Sequence, residues 1–298
     1  MHPLSLSCKK LECVGKTSYN IMSDNYYLNL NGKLRSYKRA LVMGIVNITP
    51  DSFFSRSRVD NTNKLLETVG EMLHQGADIL DIGACSTRPG ADYPDENEEC
   101  KRLQWALGEI RNKYADAILS VDTFRSRIAR TAVEKYNVDI INDVSGGIDK
   151  EMFPTVAALG VPYVLTHAGN HFDYGVNAES SVEEVVRFLG SRIAELEKAG
   201  VADVILDPGF GFGKTLQQNF DLLRNLELLK MFNKPLLVGV SRKSMIYKTL
   251  DCSAEKALEG TVVLNTIAVC KGASILRVHD VEAARHTVML VDATTGSN

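Results

Sequence analysis

Short, almost continuously apolar runs recur along the chain, and amphipathic stretches separate them. There are eight such runs: Leu41–Asn47, Asp78–Gly83, Ile118–Asp122, Val138–Asp143, Val161–Thr166, Asp203–Asp207, Leu236–Ser241 and Ser274–Val278. Apolar runs without alternation are typical of parallel strands that are buried on both faces of a sheet. We therefore expect eight parallel strands in one sheet.

The stretches between these runs carry the spacing of amphipathic helices. In Lys64–Gln75 the apolar residues fall on one face, and a later helix is predicted to begin at a cap on Ser180 or Ser181. The same spacing recurs over Gln218–Phe232 and Ala254–Lys271. Eight strands that alternate with helices predict an α/β protein of the (β/α)8 TIM barrel type, with an open doubly wound sheet as the alternative.

Polar side chains stand at the carboxyl end of nearly every predicted strand. They are Asn47, Asp81, Asp122, Asn142, Asp143, Thr166, Asp207, Ser241 and Arg277. In a closed barrel these ends meet at one mouth, whereas in an open sheet they spread along an edge. Because one mouth would let these groups form a single site, the pattern favours the barrel.

The first 37 residues fit none of these strand–helix units. Asn31-Gly32 separates two β-prone stretches, which is a hairpin signal, and we expect a hairpin within Tyr26–Tyr37 that closes the bottom of the barrel. The predicted organisation is an N-terminal extension with a hairpin, residues 1–37, followed by a single barrel domain, residues 38–298.

The composition excludes several classes of protein. Hydrophobic residues make up 45% and charged residues 24% of the 298, which is an ordinary globular balance. The formal net charge of −3 lacks the basic excess of a nucleic-acid binder, and no apolar run reaches the ~18 residues of a membrane span. The six cysteines form no CxxC pair, so we expect reduced thiols in a cytoplasmic protein without nucleic-acid or membrane partners.

The strand-end residues fall into two chemically different groups. The first offers carboxylate and amide groups, which suit a flat ligand with several N–H groups and a carbonyl, and consists of Asp122, Asn142 and Asp207. The second follows the last two strands, where many barrels bind phosphate, and consists of Arg242, Lys243, Arg277 and His279. Together they predict a site for a polar heterocycle joined to a phosphate group. The alternative for each group is a structural role, as loop caps or as a solvated basic rim.

The segment Asp207–Thr215 ends like a nucleotide-binding loop, in Gly213-Lys214-Thr215. The first glycine of that motif is absent, because Pro208 stands in its place. We therefore reject a nucleotide-binding loop and expect the glycines to let the backbone pass close to a ligand.

Five motifs, in order, resemble the signatures of the dihydropteroate synthase family. They are Met43–Phe53, Ser86–Ala91, Asp207–Lys214, Ser241–Met245 and Arg277–Val281, and the resemblance spans residues 40–292. It implies a (β/α)8 barrel that forms a homodimer and serves as a sulfonamide target. The implied activity is a transfer in folate biosynthesis with Mg²⁺, in which 6-hydroxymethyl-7,8-dihydropterin diphosphate and 4-aminobenzoate give 7,8-dihydropteroate and pyrophosphate.

The same resemblance implies roles for individual residues. The pterin would be bound by Asp122, Asn142, Asp207, Lys243 and Arg277, and the diphosphate by Asn47, Arg277 and His279. Arg277 would also stack on the pterin ring, and Asn47 would lie close to Mg²⁺. The aminobenzoate site would be formed by Phe53, Thr87, Arg88, Pro89, Phe212, Ser241 and Lys243. Catalysis would depend on Asp122, Lys243, Arg277 and His279.

The chain departs from the family pattern in three places. The first loop reads Ser52–Arg58 without the family's Asp-Gly-Gly, Cys85 stands where the family has a Glu or an aromatic residue, and Thr166-His167 stands where it often has Met-His. These changes bear on loop behaviour and inhibitor sensitivity more than on pterin binding.

Two rival functions remain on the same barrel. A pterin-binding methyltransferase would need Asp122, Asn142 and Asp207 but not the loops Asn47–Phe53 and Ser86–Ala91, which are both present. A non-catalytic pterin-binding paralogue is favoured only by the altered segment after Phe54. We therefore rank both below the synthase.

Overall fold

The computed structural model describes residues 26–30, 32–48, 58–85, 94–169 and 181–295. Its strands form a two-stranded hairpin and an eight-stranded parallel sheet. The hairpin pairs β1 (Tyr26–Leu30) with β2 (Lys33–Tyr37) in antiparallel fashion. The parallel sheet contains β3 (Leu41–Asn47), β4 (Ile79–Gly83), β5 (Leu119–Asp122), β6 (Ile140–Asp143), β7 (Tyr163–Thr166), β8 (Val204–Asp207), β9 (Leu237–Val238) and β10 (Ile275–Val278).

The parallel sheet closes into a barrel. Its strands lie in the order β8-β7-β6-β5-β4-β3-β10-β9, and a parallel bridge between Leu206 and Leu236 joins the two ends. The backbone N–H of Leu206 also donates to the carbonyl of Pro235 across this joint, at 2.9 Å. The predicted (β/α)8 barrel is confirmed, and the open doubly wound sheet is wrong.

The strand β9 is shorter than the run Leu236–Ser241 predicts. It pairs with β10 at two positions, after which the chain turns away from the sheet. In that turn the N–H of Lys243 donates to the carbonyl of Val240, and Arg242 adopts a left-handed conformation with a φ of 53°. The turn therefore ends β9 early and presents Ser241 and Lys243 at the mouth of the barrel.

Helices cover the outside of the sheet. They are α1 (Arg58–His74), α2 (Glu96–Lys113), α3 (Ser126–Tyr136), α4 (Met152–Leu159), α5 (Val182–Ala199), α6 (Leu216–Arg224), α7 (Ser244–Tyr247), α8 (Leu258–Cys270) and α9 (Val281–Thr295). Successive helices pack against one another, as in α2 with α3, α3 with α4 and α8 with α9. Within the described ranges, no helix is long and apolar enough to cross a membrane.

Two predicted helices are divided in the structure. The stretch Gln218–Phe232 is divided between α6, which begins two residues earlier at Leu216, and a separate 3-10 helix at Leu226–Phe232. The side chain of Asn225 donates to the carbonyl of Asp221 at 2.8 Å and ends α6. The stretch Ala254–Lys271 likewise begins with a 3-10 turn before α8. Of the two predicted caps for α5, Ser181 is the one used, and its hydroxyl accepts from the N–H of Glu184.

The interior of the barrel is apolar at the amino ends of the strands. Ten buried residues pack there: Leu28 and Leu30 of the hairpin with Leu41, Met43, Ile79, Ile140, Val164, Ile205, Leu237 and Ile275 of the strands. The hairpin is fastened from below, because the N–H of Asn29 donates to the carboxylate of Asp203 and the hydroxyl of Tyr26 donates to the carbonyl of Ser274. The hairpin therefore closes the bottom of the barrel, as predicted.

The substitution L28A tests whether the hairpin is part of the core. Leu28 is 1% exposed, so we expect a loss of about 2–5 kcal/mol in the free energy of unfolding, since a buried cavity is left behind. Leu34 on the same hairpin is 69% exposed, and L34A should cost less than about 0.5 kcal/mol. Urea denaturation of both variants is the measurement, and equal losses would contradict the closing role of the hairpin.

Candidate active site

At the carboxyl end of the barrel the interior becomes polar. Side chains alternate along a strand, so residues two positions beyond the apolar Ile140 and Ile205 also point inward. These residues are Asn142 and Asp207, which are buried together with Asp122 of β5. The structure thus brings the predicted carboxylates and amide to one place, inside the mouth.

Arg277 of β10 lies between two carboxylates. Its Nε donates to Oδ2 of Asp81 at 2.7 Å, and its Nη2 donates to Oδ2 of Asp122 at 2.8 Å. Burial alone would lower the pKa of Arg277, but these two carboxylates hold it above its ordinary value. The guanidinium therefore remains charged and is fixed on two sides.

Asp122 is a carboxylate that titrates near neutral pH. Burial raises its pKa to about 7, the charge of Arg277 offsets part of that effect, and the neighbouring Asp81 adds to it. The ionised and the protonated forms of Asp122 are therefore both accessible under ordinary conditions, and a cationic or donating ligand favours the ionised form.

Lys243 and Asp207 form a second charged pair in the site. The ammonium of Lys243 donates to the carbonyl of Phe210 and lies 4.9 Å from the ring centroid of Phe212. Burial lowers the pKa of Lys243 to about 8, against the opposing charge of Asp207. Burial likewise raises the pKa of Asp207, whose Oδ1 accepts from the N–H of Gly209 at 2.7 Å.

The loop after β8 is held by a partly buried lysine. The ammonium of Lys214 donates to the carbonyls of His167, Gly209 and Phe212 at 3.0, 2.8 and 3.3 Å. A Cβ on Gly209 would meet the carbonyl oxygen of His167 at 1.9 Å, so this close approach requires glycine. Lys214 thus binds backbone, which agrees with the rejection of a nucleotide-binding loop.

His279 stands at the mouth as a neutral imidazole. Although His279 is exposed at the rim, desolvation on its protein side, followed by the charge of Arg277, lowers its pKa to about 4. Its Nδ1 is 3.1 Å from the hydroxyl of Ser241, which also accepts from the backbone N–H of His279. At neutral pH His279 therefore offers hydrogen bonds rather than a positive charge.

Arg242 serves the fold rather than the mouth. Its guanidinium forms two hydrogen bonds of 2.8 Å with the carboxylate of Asp280 and donates to the carbonyls of Ala254 and Glu255. Of the four basic residues that the sequence predicts at the mouth, Lys243, Arg277 and the neutral His279 remain available to a ligand.

Asn47 supplies an oxygen at the rim. A Cβ on Gly83 would lie 3.7 Å from Oδ1 of Asn47 and 3.4 Å from Cβ of Asp122, which places the two residues on either side of that glycine. Within the described ranges, no cluster of three His, Cys, Asp or Glu residues could hold a metal ion by itself. An amide oxygen fits Mg²⁺, which commonly keeps water ligands and completes its shell with substrate phosphates.

Four residues of the predicted aminobenzoate site lie outside the described part of the chain, and two buried carboxylates have roles that the sequence did not predict. Phe53, Thr87, Arg88 and Pro89 lie outside the described residues. The carboxylate of Glu99 is fully buried, accepts from the hydroxyl of Thr123 at 2.7 Å and pairs with Arg125. Glu99 and its partners tie α2 to the turn after β5, and neither this role nor that of Asp81 was assigned from the sequence.

Asp143 neighbours Asn142 in sequence but points out of the barrel. Its carboxylate accepts from the N–H and hydroxyl of Ser145, from the N–H of Gly147 and from the hydroxyl of Tyr163. It therefore holds the loop after β6 and takes no part in the site.

The substitutions D143N and Y163F test this capping role. We expect D143N to lower the free energy of unfolding by about 1–3 kcal/mol, because several buried donors lose their acceptor, and Y163F to lower it by about 1 kcal/mol. Chemical denaturation measures both. A smaller effect of D143N than of Y163F would show that the Asp143 carboxylate does not organise the loop.

Comparisons with known proteins agree with this geometry. The family model described as "Pterin binding enzyme" matches residues 43–279. A dihydropteroate synthase of Clostridium beijerinckii is 38% identical over 262 residues, which are 85% of this chain and 95% of that protein.

Solved structures show the same similarity. A dihydropteroate synthase of Coxiella burnetii in complex with pteroic acid has a TM-score of 0.80 at 34% identity and covers 92% of this chain and 100% of its own. The Xanthomonas albilineans dihydropteroate synthase with 4-aminobenzoic acid has a TM-score of 0.81 at 35% identity, covering 91% and 98%. The chain therefore belongs to the pterin binding enzymes and, among them, to the dihydropteroate synthases, which are transferases.

Proposed function

We propose that the chain joins 6-hydroxymethyl-7,8-dihydropterin diphosphate to 4-aminobenzoate, giving 7,8-dihydropteroate and pyrophosphate. The observation that carries the proposal is the buried set of acceptors on Asp122, Asn142 and Asp207, which lies beside the cations Lys243 and Arg277. The relatives solved with pteroic acid and with 4-aminobenzoic acid support the same substrates.

The acceptors suit the edge of a pterin. Its amino group and ring N–H groups donate, and a carboxylate such as that of Asp207 can accept two parallel N–H bonds. The carbonyl of the pterin accepts, and the ammonium of Lys243 is positioned opposite Asp207 to donate. The guanidinium of Arg277, held flat by two carboxylates, offers a face on which the ring can stack.

The diphosphate would lie toward the rim, against Asn47, Arg277 and His279. Arg277 supplies fixed charge, and His279, whose pKa is low in the protein without ligand, supplies a hydrogen bond and gains affinity for a proton as the diphosphate approaches. A magnesium ion bound at Asn47 would neutralise charge on the departing pyrophosphate. The aminobenzoate would contact Phe212 and Ser241, together with Phe53, Thr87, Arg88 and Pro89.

The chemistry needs no covalent intermediate with the protein. The C–O bond to the diphosphate breaks, pyrophosphate takes the electron pair, and the amine of aminobenzoate forms the new C–N bond and then loses a proton. Positive charge spreads over the pterin as the C–O bond breaks, and the buried carboxylate of Asp122 stabilises it.

The test of the proposed function is pyrophosphate release by the purified protein. We expect release that requires both the pterin diphosphate and 4-aminobenzoate, together with formation of 7,8-dihydropteroate. Pterin binding without release would favour the non-catalytic paralogue. Methyl transfer from a pterin donor in place of release would favour the methyltransferase.

The chain is further proposed to work as a homodimer. Val263 and Ile267 of α8 and Met289 and Leu290 of α9 are exposed although α8 and α9 pack together, and α8 carries a single charged residue, Glu259. Exposed apolar residues on neighbouring helices are typical of a protein interface, and a two-fold axis lets one such surface cover its copy.

The substitution V263E tests the dimer. Val263 is 56% exposed, so a glutamate there leaves the fold intact but places charge in the proposed interface. We expect a dimer for the unchanged chain and a monomer for V263E in sedimentation velocity, with L34E on the hairpin as a control that stays dimeric. A monomeric unchanged chain, or a dimeric V263E, would rule out this surface.

A cytoplasmic location is also part of the proposal. The described cysteines Cys85, Cys100, Cys252 and Cys270 are free thiols, which agrees with a reducing compartment. Burial, followed by the charge of Glu99, raises the pKa of the Cys85 thiol, so this side chain stays protonated.

The binding of 6-hydroxymethylpterin should have a maximum between about pH 7 and pH 8. Asp122, with a pKa of about 7, accepts a charge-assisted hydrogen bond only when it is ionised, so affinity falls as the pH drops below that value. Lys243, with a pKa of about 8, must be protonated to donate, so affinity falls as the pH rises above it. This ligand carries no phosphate, which keeps phosphate ionisation out of the profile.

Calorimetry across pH 5–10 measures the profile. The variant D122N should lose the fall on the acid side. K243R should keep only the part of the alkaline fall that comes from deprotonation of the pterin's own ring N–H. An acid limb that persists in D122N would assign it to another group, of which Asp207 is the first candidate because burial raises its pKa as well.

A further inference from the structure

Asp81 is a buried carboxylate at the mouth to which the proposed function gives only one task, the holding of Arg277. It lies on β4 two positions beyond Ile79, which belongs to the apolar interior, and it is fully buried. One of its oxygens, Oδ2, accepts from Nε of Arg277 at 2.7 Å and from Nδ2 of Asn142 at 3.0 Å. Asp81 therefore contacts two of the residues that the pterin would touch.

The contact with Asn142 decides which way its amide faces. A carboxylate only accepts hydrogen bonds, so the NH2 group of Asn142 must face Asp81. The other amide atom, Oδ1 of Asn142, is buried and has no hydrogen-bond partner among the described residues. Asn142 consequently keeps a carbonyl oxygen for the ligand, and the ligand must supply a donor there.

The contact with Arg277 decides the position of its guanidinium. Asp122 binds Nη2, and Asp81 binds Nε on the adjacent side of the same plane. With Asp81 removed, a single hydrogen bond to Asp122 leaves the plane free to rotate. The face on which a ring would stack is then no longer fixed.

Two buried carboxylates away from the site, Asp143 and Asp139, differ from Asp81 in their partners. Asp143 accepts largely from the loop that it caps. Asp139, just before β6, accepts from the N–H of Leu119 and from Arg111 of α2. The partners of Asp81 are instead two side chains of the mouth, Asn142 and Arg277. This pairing indicates a role in the site in addition to a role in stability.

We propose that Asp81 is a positioning residue that sets the ligand specificity of the mouth, by turning the Asn142 carbonyl toward the ligand and fixing the plane of Arg277. The inference rests on the proposed function, since it takes the ligand to be a pterin. Asp81 selects a ring that presents N–H donors and rejects one that presents a carbonyl in the same place.

The discriminating experiment compares two ligands that differ along one edge of the ring. The 2-amino group of 6-hydroxymethylpterin has one hydrogen for Asp207 and a second for the Asn142 carbonyl, beside an accepting ring N1. In 6-hydroxymethyllumazine a 2-oxo group and an N1–H stand in their place. We expect the unchanged protein to prefer the pterin. In D81L, where Asn142 can turn its amide, the ratio of the two dissociation constants should fall about tenfold, because a mispaired buried group is relieved.

Asp139 provides a matched control at the far end of the barrel. It is a buried carboxylate paired with an arginine, at 3.0 Å from Arg111. The variant D139L should lower the melting temperature as D81L does but leave the ratio of dissociation constants unchanged. A ratio in D81L equal to that of the unchanged protein, with a similar loss of stability, would reduce Asp81 to a structural role.

A double-mutant cycle tests whether Asp81 acts through Asn142. In the N142A background, D81L should change the ratio by less than about threefold, because the amide that Asp81 orients is gone. An undiminished effect in that background would overturn the part assigned to Asn142. If D81L does not fold, D81N is the substitute. It keeps the shape of the side chain but replaces one accepting oxygen by an NH2 group, so a smaller fall in the ratio of dissociation constants is expected.

The outcomes separate the two proposals. An unchanged protein that binds neither ring would remove the proposed function and this inference together. Pterin binding and turnover that keep their specificity in D81L and D81N would remove the inference alone. The KM for aminobenzoate should remain unchanged in D81N while the KM for the pterin diphosphate rises, since Asp81 contacts pterin-side residues.

Discussion

The positive charge of Arg277 sits inside the barrel between the carboxylates of Asp81 and Asp122. Removing charged groups from water costs several kcal/mol for each ion, and attraction between them offsets this only when the geometry is good. Burial raises the pKa of Asp122 to about 7, and the excess negative charge that two carboxylates leave on one guanidinium contributes to that rise. A cationic or proton-donating ligand neutralises that excess charge. Binding is therefore favoured by the removal of repulsion between the buried carboxylates.

The lower half of the barrel makes this arrangement possible. Its interior is filled with apolar side chains, and the hairpin residues Leu28 and Leu30 seal it from below. Stability is therefore concentrated at the amino ends of the strands, and charge is concentrated at the carboxyl ends. The same eight strands serve both purposes because their side chains continue to alternate from one half into the other.

Much of this organisation could be predicted from the sequence. Apolar runs identify strands by local composition, and polar residues at their ends converge once the barrel closes, which is why Asp122, Asn142 and Asp207 could be grouped without a structure. Pairing across the barrel is a different matter. Asp81 and Glu99 depend on partners more than 20 positions away, and no local pattern separates Arg242, which folds back onto Asp280, from Lys243 beside it.

The joint that closes the barrel has a consequence for ligand binding. The strands β8 and β9 meet through the bridge at Leu206 and Leu236, and β9 is two residues long. Asp207 follows Leu206 directly, and Lys243 lies in the turn that ends β9. A ligand bound by both side chains connects β8 and β9 in addition to this bridge. Its binding free energy then stabilises the closed barrel, so the complex resists separation of β8 and β9, which are joined by few hydrogen bonds.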